Sequence, residues 1–229
     1  PHIYAAGDNV AIKNLQTGQH DYFPLGTHSN KGGRAAGANA AGSDVTFKGA
    51  YRTAIIKVFD YTLARTGMNA KALKEADIPF KTSLSIAGAT PGYYPGQKDL
   101  VTELYYHRDT FELLGAEIFG EVGVDKRIDV LSTAIYAKLK VTDLPQLDLA
   151  YAPPFSPAKD PVVVAGFVTG NILEDKCDQL SADEYEAYIS HRSPEEYTLI
   201  DVRTRTEFER GCIPGAINMP LHDLRDRFE

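Results

Sequence analysis

Cysteine is the scarcest reactive residue in this chain. Cys177 and Cys212 are the only two in 229 residues, and they form neither a C-x-x-C pair nor a set with neighbouring histidines. A disulfide scaffold and a zinc site are therefore excluded. The six histidines are scattered, so no other metal is expected. Long apolar runs are missing too: none reaches the roughly 18 residues needed to cross a bilayer, and no membrane partner is expected. Positive charge is in deficit, with a formal net charge of -7 and a pI near 5.4. That leaves no basic stripe for a phosphate backbone, so nucleic acid is excluded as a partner while a local anion site stays open. There is no G-x-G-x-x-G or Walker loop, and no spacing that argues for a Ser-His-Asp or Cys-His constellation. Nothing at the start has the layout of a signal peptide, which makes a reducing cytoplasm the expected location. The start also lacks methionine. Pro1 and His2 lead straight into an apolar stretch, so the chain reads as cut from something longer.

What is present is 43% hydrophobic and 24% charged, the balance of a soluble globular protein with room for one large domain or two small ones. His2 to Asp8 reads as a short buried strand ending in Gly7-Asp8. Ser29 to Ala41, rich in Gly and Ala, reads as a helix packed closely on a sheet and stopped by Gly42. From Thr46 onward strands dominate. Phe80, Thr82, Leu84 and Ile86 alternate with Lys81, Ser83 and Ser85, the period of a half-buried strand. Asp99 to Tyr106 and Glu112 to Glu121 are two more strands, joined by the polar turn His107-Arg108-Asp109-Thr110. Asn69 caps a short helix through Ala76, and Asp125 to Leu139 carries Ile128, Leu131, Ile135 and Leu139 on one face. Strands grouped together with helices to the side indicate an α+β domain with an antiparallel sheet. Pro153, Pro154 and Pro157 break regular structure, and Pro161 to Leu173 follows as an apolar helix suited to an interface. The charged stretch Glu174 to Asp178 reads as a linker. Beyond it, Ser181 with Glu184 and Thr204 with Glu207 have capping-box spacing on either side of a strand at Thr198 to Val202.

Several short segments are candidates for chemistry. A carboxylate such as Asp8 at a strand end can accept hydrogen bonds from cofactor hydroxyls, although Gly-Asp is equally a turn for conformational reasons. In Ala89 to Gly96, Tyr93 and Tyr94 sit between Pro and Gly punctuators; a phenol held there can donate a proton or simply pack on a neighbouring surface. The prolines after Tyr151 stiffen the backbone that presents Tyr151 and Lys159. Lys159 suits a phosphate or carboxylate, but from composition alone the favoured reading is a solvated ion pair with Asp160. Gly32-Gly33, read as the start of a helix, is the nearest approach to an anion-binding loop.

Together these segments resemble a known family. Ile3-Tyr-Ala-Ala-Gly-Asp8 resembles the second flavin-contacting motif of the pyridine nucleotide-disulfide oxidoreductases, and Asn30-Lys-Gly-Gly-Arg-Ala-Ala36 resembles the helix that returns through their FAD domain. Val58-Phe-Asp60, Thr66-Gly67, Tyr93-Tyr-Pro-Gly96, Glu121-Val-Gly-Val-Asp-Lys-Arg-Ile-Asp-Val130, Tyr151-Ala-Pro-Pro-Phe155 and Lys159-Asp160 are similar to the dimerisation domain of coenzyme A disulfide reductases, NADH oxidases and persulfide reductases. The tail, with Leu199-Ile-Asp-Val-Arg203, Glu207-Phe208 and Gly211-Cys-Ile-Pro-Gly-Ala-Ile-Asn-Met-Pro220, resembles the start of a rhodanese domain. In such domains a later cysteine carries sulfur. Cys212 stands where they usually have histidine, so it is expected to be structural.

The resemblance implies residues 1–45 as the end of an FAD-binding domain, 46–174 as a dimerisation domain and 175–229 as a linker with an incomplete rhodanese-like domain. It implies a homodimer in which Tyr93 and Tyr151 reach the reactive cysteine of the opposite subunit, Gly7 and Asp8 contact FAD, and Lys159 and Asn30 contact coenzyme A. The intact enzyme would pass electrons from NAD(P)H through FAD to coenzyme A disulfide, a persulfide or dioxygen. The choice among these, and between NADH and NADPH, stays open. The other reading is a non-catalytic dimerisation fragment that lacks flavin. The isolated fragment is expected to be inactive.

Overall fold

The computed structural model describes residues 3–227, in two compact units that divide between Gln179 and Leu180. His2, the first residue of the expected N-terminal strand, lies outside the described residues. The remainder of that segment is not a strand. Ile3 is almost fully exposed, residues 3–6 are irregular, and Gly7-Asp8 sits in a turn. Backbone N–H and C=O groups make a strand only when a neighbouring strand pairs with them, and among the described residues no strand does.

The first unit opens with a minimal hairpin, β1 (Ile12–Lys13) and β2 (His20–Asp21), and the helix α1 (Gly26–Ala40). The helix starts earlier than its Gly-Ala composition suggests, so Gly32 and Gly33 lie inside it. Their N–H groups face preceding carbonyls and are not offered to an anion. Nor does the helix lie on a sheet. It meets irregular segments: Phe23 packs on His28 with ring centroids 5.7 Å apart, and Gly32 faces Ala6 and Phe47. Gly42, at φ +94°, ends it as expected.

The larger part of this unit is an antiparallel sheet formed by β3 (Ala54–Val58), β4 (Tyr61–Gly67), β5 (Phe80–Gly88), β6 (Asp99–His107) and β7 (Leu113–Gly120), in the order β3-β4-β7-β6-β5. Between β4 and β5 the short helix α2 (Ala70–Glu75) is capped by Asn69, whose side chain accepts the Ala72 N–H at 3.1 Å. Helices α3 (Val124–Tyr136) and α4 (Pro161–Leu173) cover one face of the sheet. Ile128, Leu131 and Ile135 of α3 pack with Leu100, Leu104, Tyr106 and Ile118 of the sheet and Val162 and Ala165 of α4. Each such fully buried aliphatic chain stabilises the fold by roughly 1.5–3 kcal/mol. An α+β domain with an antiparallel sheet flanked by helices is thus the architecture. The helix expected through Leu139 stops at Tyr136 because Lys138 turns left-handed at φ +56°.

The alternation in β5 is present, but its buried side is the polar one. Ser83 and Ser85 are 3% and 7% exposed, while Leu84 and Ile86 are 47% and 64% exposed. The reason is close approach by α4. Ser83 shares a 2.6 Å hydrogen bond with Thr169, which itself donates to the Ala165 carbonyl at 2.8 Å. Small hydroxyl side chains let helix and strand meet there, and the larger apolar ones point to the opposite face. On that face Tyr61 and Phe119 stack with ring centroids 5.0 Å apart.

After α4 and the stretch expected to be a linker comes Gln179, whose side-chain amide closes on β5. Its Oε1 accepts the Leu84 N–H, and its Nε2 donates to the Leu84 carbonyl, both at 2.8 Å.

The second unit contains α5 (Ala182–Ser190), β8 (Ile200–Asp201), α6 (Arg205–Glu209), β9 (Ile217–Asn218) and α7 (Leu224–Arg227). Both expected capping boxes form, Ser181 with Glu184 and Thr204 with Glu207. The strand expected over Thr198 to Val202 is shorter, and it pairs in parallel with β9.

Candidate active site

Two loops at one end of the sheet carry the tyrosines singled out by the sequence. The first joins β5 to β6. Its base is closed by the Ala89 N–H donating to the Lys98 carbonyl at 2.8 Å, and an inner turn by Tyr94 N–H donating to the Pro91 carbonyl at 2.8 Å. Gly88 is required at this base, because a Cβ there would lie 2.7 Å from Gln97 Nε2 and 2.8 Å from the Thr90 carbonyl. Lys98 also pairs with Glu121 at 3.0 Å, anchoring the loop's far end to the turn before α3. The second loop precedes α4. Pro153, Pro154 and Pro157 keep it irregular, while the Phe155 and Ser156 N–H groups both donate to the Ala152 carbonyl, at 2.8 and 3.0 Å.

These loops bring the Tyr93 and Tyr151 side chains side by side, close enough for the Tyr151 hydroxyl to act on the Tyr93 phenol. Both are exposed, at 76% and 51%. The Tyr151 hydroxyl holds the Tyr93 phenol above the ordinary phenolic range, chiefly by stabilising its protonated form. At neutral pH Tyr93 is thus a proton-bearing group on a fixed loop, available to a partner that approaches from solvent.

Beneath the tyrosines lies a feature that sequence reasoning missed. Arg127, on the first turns of α3, and Asp160, which caps α4, form an ion pair with side chains 2% and 4% exposed and Nη2 3.0 Å from Oδ2. The Arg127 Nε also donates to Oδ2 at 3.1 Å. Asp160 accepts the Ser156 hydroxyl at 2.8 Å and the Val162 N–H at 3.0 Å. Burial works to raise the Asp160 carboxyl, but the Val162 N–H, the Arg127 charge and the Ser156 hydroxyl together hold it below its ordinary value. The same guanidinium donates to the carbonyls of Ala89 at 3.0 Å, Phe155 at 3.4 Å and Gly123 at 3.2 Å. Its neighbour Lys126 donates to the Ala150 carbonyl at 3.3 Å and lies 3.6 Å from Asp160. The expected pairing of Lys159 with Asp160 therefore does not occur. Asp160 faces inward to Arg127, and Lys159 is exposed with no ion pair among the described residues. Arg127 lies in the stretch Glu121 to Val130 that carries the resemblance, but spacing alone gave no sign that a charged residue on an amphipathic helix turns inward.

The other sequence candidates lie elsewhere. Gly7 adopts φ +101°, and Asp8 is exposed with Oδ1 accepting the Ser29 hydroxyl at 2.7 Å. Asn30 is exposed on α1. Tyr94, half-buried, takes part in the turn of its own loop. Cys212, expected to be structural, is exposed rather than packed in a core, and so is Cys177. Among the described residues no helix is long and apolar enough to cross a membrane.

Comparison with known proteins finds similarity over both units of the chain. Residues 53–161 match the pyridine nucleotide-disulphide oxidoreductase dimerisation domain, and residues 181–229 match the rhodanese-like domain. A coenzyme A disulfide reductase of Staphylococcus haemolyticus is 36% identical over 168 residues, 73% of this chain and 38% of that protein. The crystal structure of reduced Bacillus anthracis CoADR-RHD superposes with a TM-score of 0.88 at 41% identity, covering 100% of this chain and 40% of that one. The structure of an NAD-dependent persulfide reductase from A. fulgidus gives a TM-score of 0.88 at 37% identity, covering 98% of this chain and 40% of that one. The chain thus spans about two-fifths of the length of these relatives. The part of the chain that holds the antiparallel sheet, α3 and both tyrosine loops is thus similar to a pyridine nucleotide-disulphide oxidoreductase dimerisation domain, and the part from residue 181 onward to a rhodanese-like domain.

Proposed function

We propose that this chain is the dimerising, active-site-completing part of an FAD-dependent NAD(P)H oxidoreductase acting on coenzyme A disulfide or a persulfide. The observation that carries the reading is the juxtaposition of Tyr93 and Tyr151, contributed by two otherwise separate loops at an exposed position. In this reading the pair reaches the reactive sulfur of the opposite subunit, and a protonated phenol donates to the departing thiolate. Exposed apolar residues on the sheet face opposite the helices, such as Leu63, Leu84, Ile86 and Phe119, support association with a second copy.

The flavin contact rests on residues that fit one. The Asp8 carboxylate is exposed, and with Ser29 on Oδ1 it retains acceptor capacity for a flavin hydroxyl. Gly7, at φ +101°, gives the turn that presents it. A bound flavin would supply the electron transfer from NAD(P)H to the sulfur substrate. Exposed Lys159 and Asn30 are the proposed contacts for coenzyme A, with Lys159 toward phosphate. Residues 1–45, 46–174 and 175–229 are assigned to the end of the FAD domain, the dimerisation domain, and the linker with its rhodanese-like segment. The cytoplasm is the proposed location.

The test is Tyr93→Phe and Tyr151→Phe in the flavin-loaded protein. Each is expected to lower disulfide or persulfide turnover by about 10²-fold, the scale of general acid catalysis, while reduction of flavin by NAD(P)H is unchanged. Unchanged turnover in both variants would remove the tyrosines from the mechanism.

A further inference from the structure

We infer that Arg127 is the positioning residue of this site, a buried clamp that fixes the separation of the two tyrosine loops. The inference rests on the proposed role of Tyr93 and Tyr151 and adds a third participant that touches neither substrate nor tyrosine.

The geometry is that of one guanidinium serving three stretches of chain. Arg127 Nη2 donates to the Ala89 carbonyl, at the root of the Tyr93 loop, at 3.0 Å. It also reaches the Phe155 carbonyl, in the Tyr151 loop, at 3.4 Å, while Nη1 holds the Gly123 carbonyl at 3.2 Å. Asp160 fixes the orientation of the fork and, through Ser156 at 2.8 Å, ties in the same second loop. Gly123 makes room for it: a Cβ at that position would lie 2.2 Å from Arg127 Nη1. Lys126 adds a contact beside Tyr151, at the Ala150 carbonyl.

Neither tyrosine is buried in the core, so core packing alone does not hold them in register. Their juxtaposition depends on where the loop roots lie. A planar fork with several donors in fixed directions can tie two roots at once, whereas an ammonium cannot match that pattern. Misplacement of a catalytic group by about 1 Å costs on the order of 10²-fold in rate, so loosening the clamp should appear in the chemistry of the tyrosines.

The experiment compares Arg127→Lys and Arg127→Met with wild type by two readouts. The first is the alkaline titration of 3-fluorotyrosine placed at position 93, followed by 19F NMR on this chain, which needs neither flavin nor turnover. In wild type the Tyr93 phenol should titrate above a 3-fluorotyrosine control peptide, because Tyr151 stabilises its protonated form. In Arg127→Lys it should fall toward the control. The second readout is steady-state turnover of the flavin-loaded protein, where kcat for the sulfur substrate should drop by about 10–100-fold with the rate of flavin reduction unchanged. Arg127→Lys keeps a charge opposite Asp160 and is the deciding variant if Arg127→Met fails to fold. A folded Arg127→Lys protein with wild-type Tyr93 titration and wild-type kcat would overturn the inference. If the titration moves but Tyr93→Phe and Tyr151→Phe retain full turnover, the clamp stands and the tyrosine mechanism fails.

Discussion

Replacing Arg127 and Asp160 singly and together should reveal strong coupling, because each is buried with the other as its main charged partner. In Arg127→Met, Asp160 keeps the Ser156 hydroxyl, the Val162 N–H and Lys126 at 3.6 Å. It loses the guanidinium, and the Ala89 and Phe155 carbonyls lose a donor. Removing one member of a buried pair costs about 3–5 kcal/mol. In Asp160→Asn the size is kept and the charge lost, removing charge-assisted contacts worth about 1.5–3 kcal/mol. The double variant has no stranded charge left and should cost about as much as Arg127→Met alone, giving a coupling of roughly 1.5–3 kcal/mol. The chain has no tryptophan, so urea unfolding of the full chain is best followed by far-UV circular dichroism, using the transition of the larger unit. An acid arm adds a sign. The Asp160 pKa is depressed in the folded state. Its stabilising contribution is therefore fully present above the unfolded value of about 3.9 and is lost as pH falls through the folded value. Wild type should lose this component below about pH 4, while Asp160→Asn lacks it at every pH. Additivity within about 0.5 kcal/mol would refute the coupling, whatever the distances.

Gly123→Ala should destabilise by more than the roughly 1–2 kcal/mol of a left-handed non-glycine residue, since φ is +73° and the added Cβ would also displace the Arg127 guanidinium; thermal unfolding measures it, and a loss under 1 kcal/mol would contradict the close approach. Native protein should expose two thiols per chain to a disulfide reagent, because Cys177 and Cys212 are both free and exposed. Fewer than two reacting without denaturant would argue against that exposure.

Elements with strong local signals were legible in the sequence. Asn69 before α2, the capping boxes at Ser181 and Thr204, and Pro161 opening α4 each fix their chain locally, and each forms. What escaped were features decided by packing over long separations. The alternation of β5 marked a strand but not which side faces inward, because that depended on Thr169 of α4 meeting Ser83. The N-terminal apolar stretch carried strand-forming residues, but no strand among the described residues pairs with it. At the site, the tyrosines were legible through punctuated loops and resemblance. Arg127 was not, since an arginine on an amphipathic helix reads as solvent-facing until Asp160, 33 residues later, is seen to turn toward it.

The closure of Gln179 on Leu84 bears on how association is limited. β5 ends the sheet, and its outward apolar residues Leu84 and Ile86 would make its free edge adhesive to any extended segment. With one donor and one acceptor, the Gln179 amide satisfies the N–H and C=O that an incoming strand would claim first. At that one position the free edge of the sheet is already occupied, while the apolar side chains Leu84 and Ile86 beside it stay exposed.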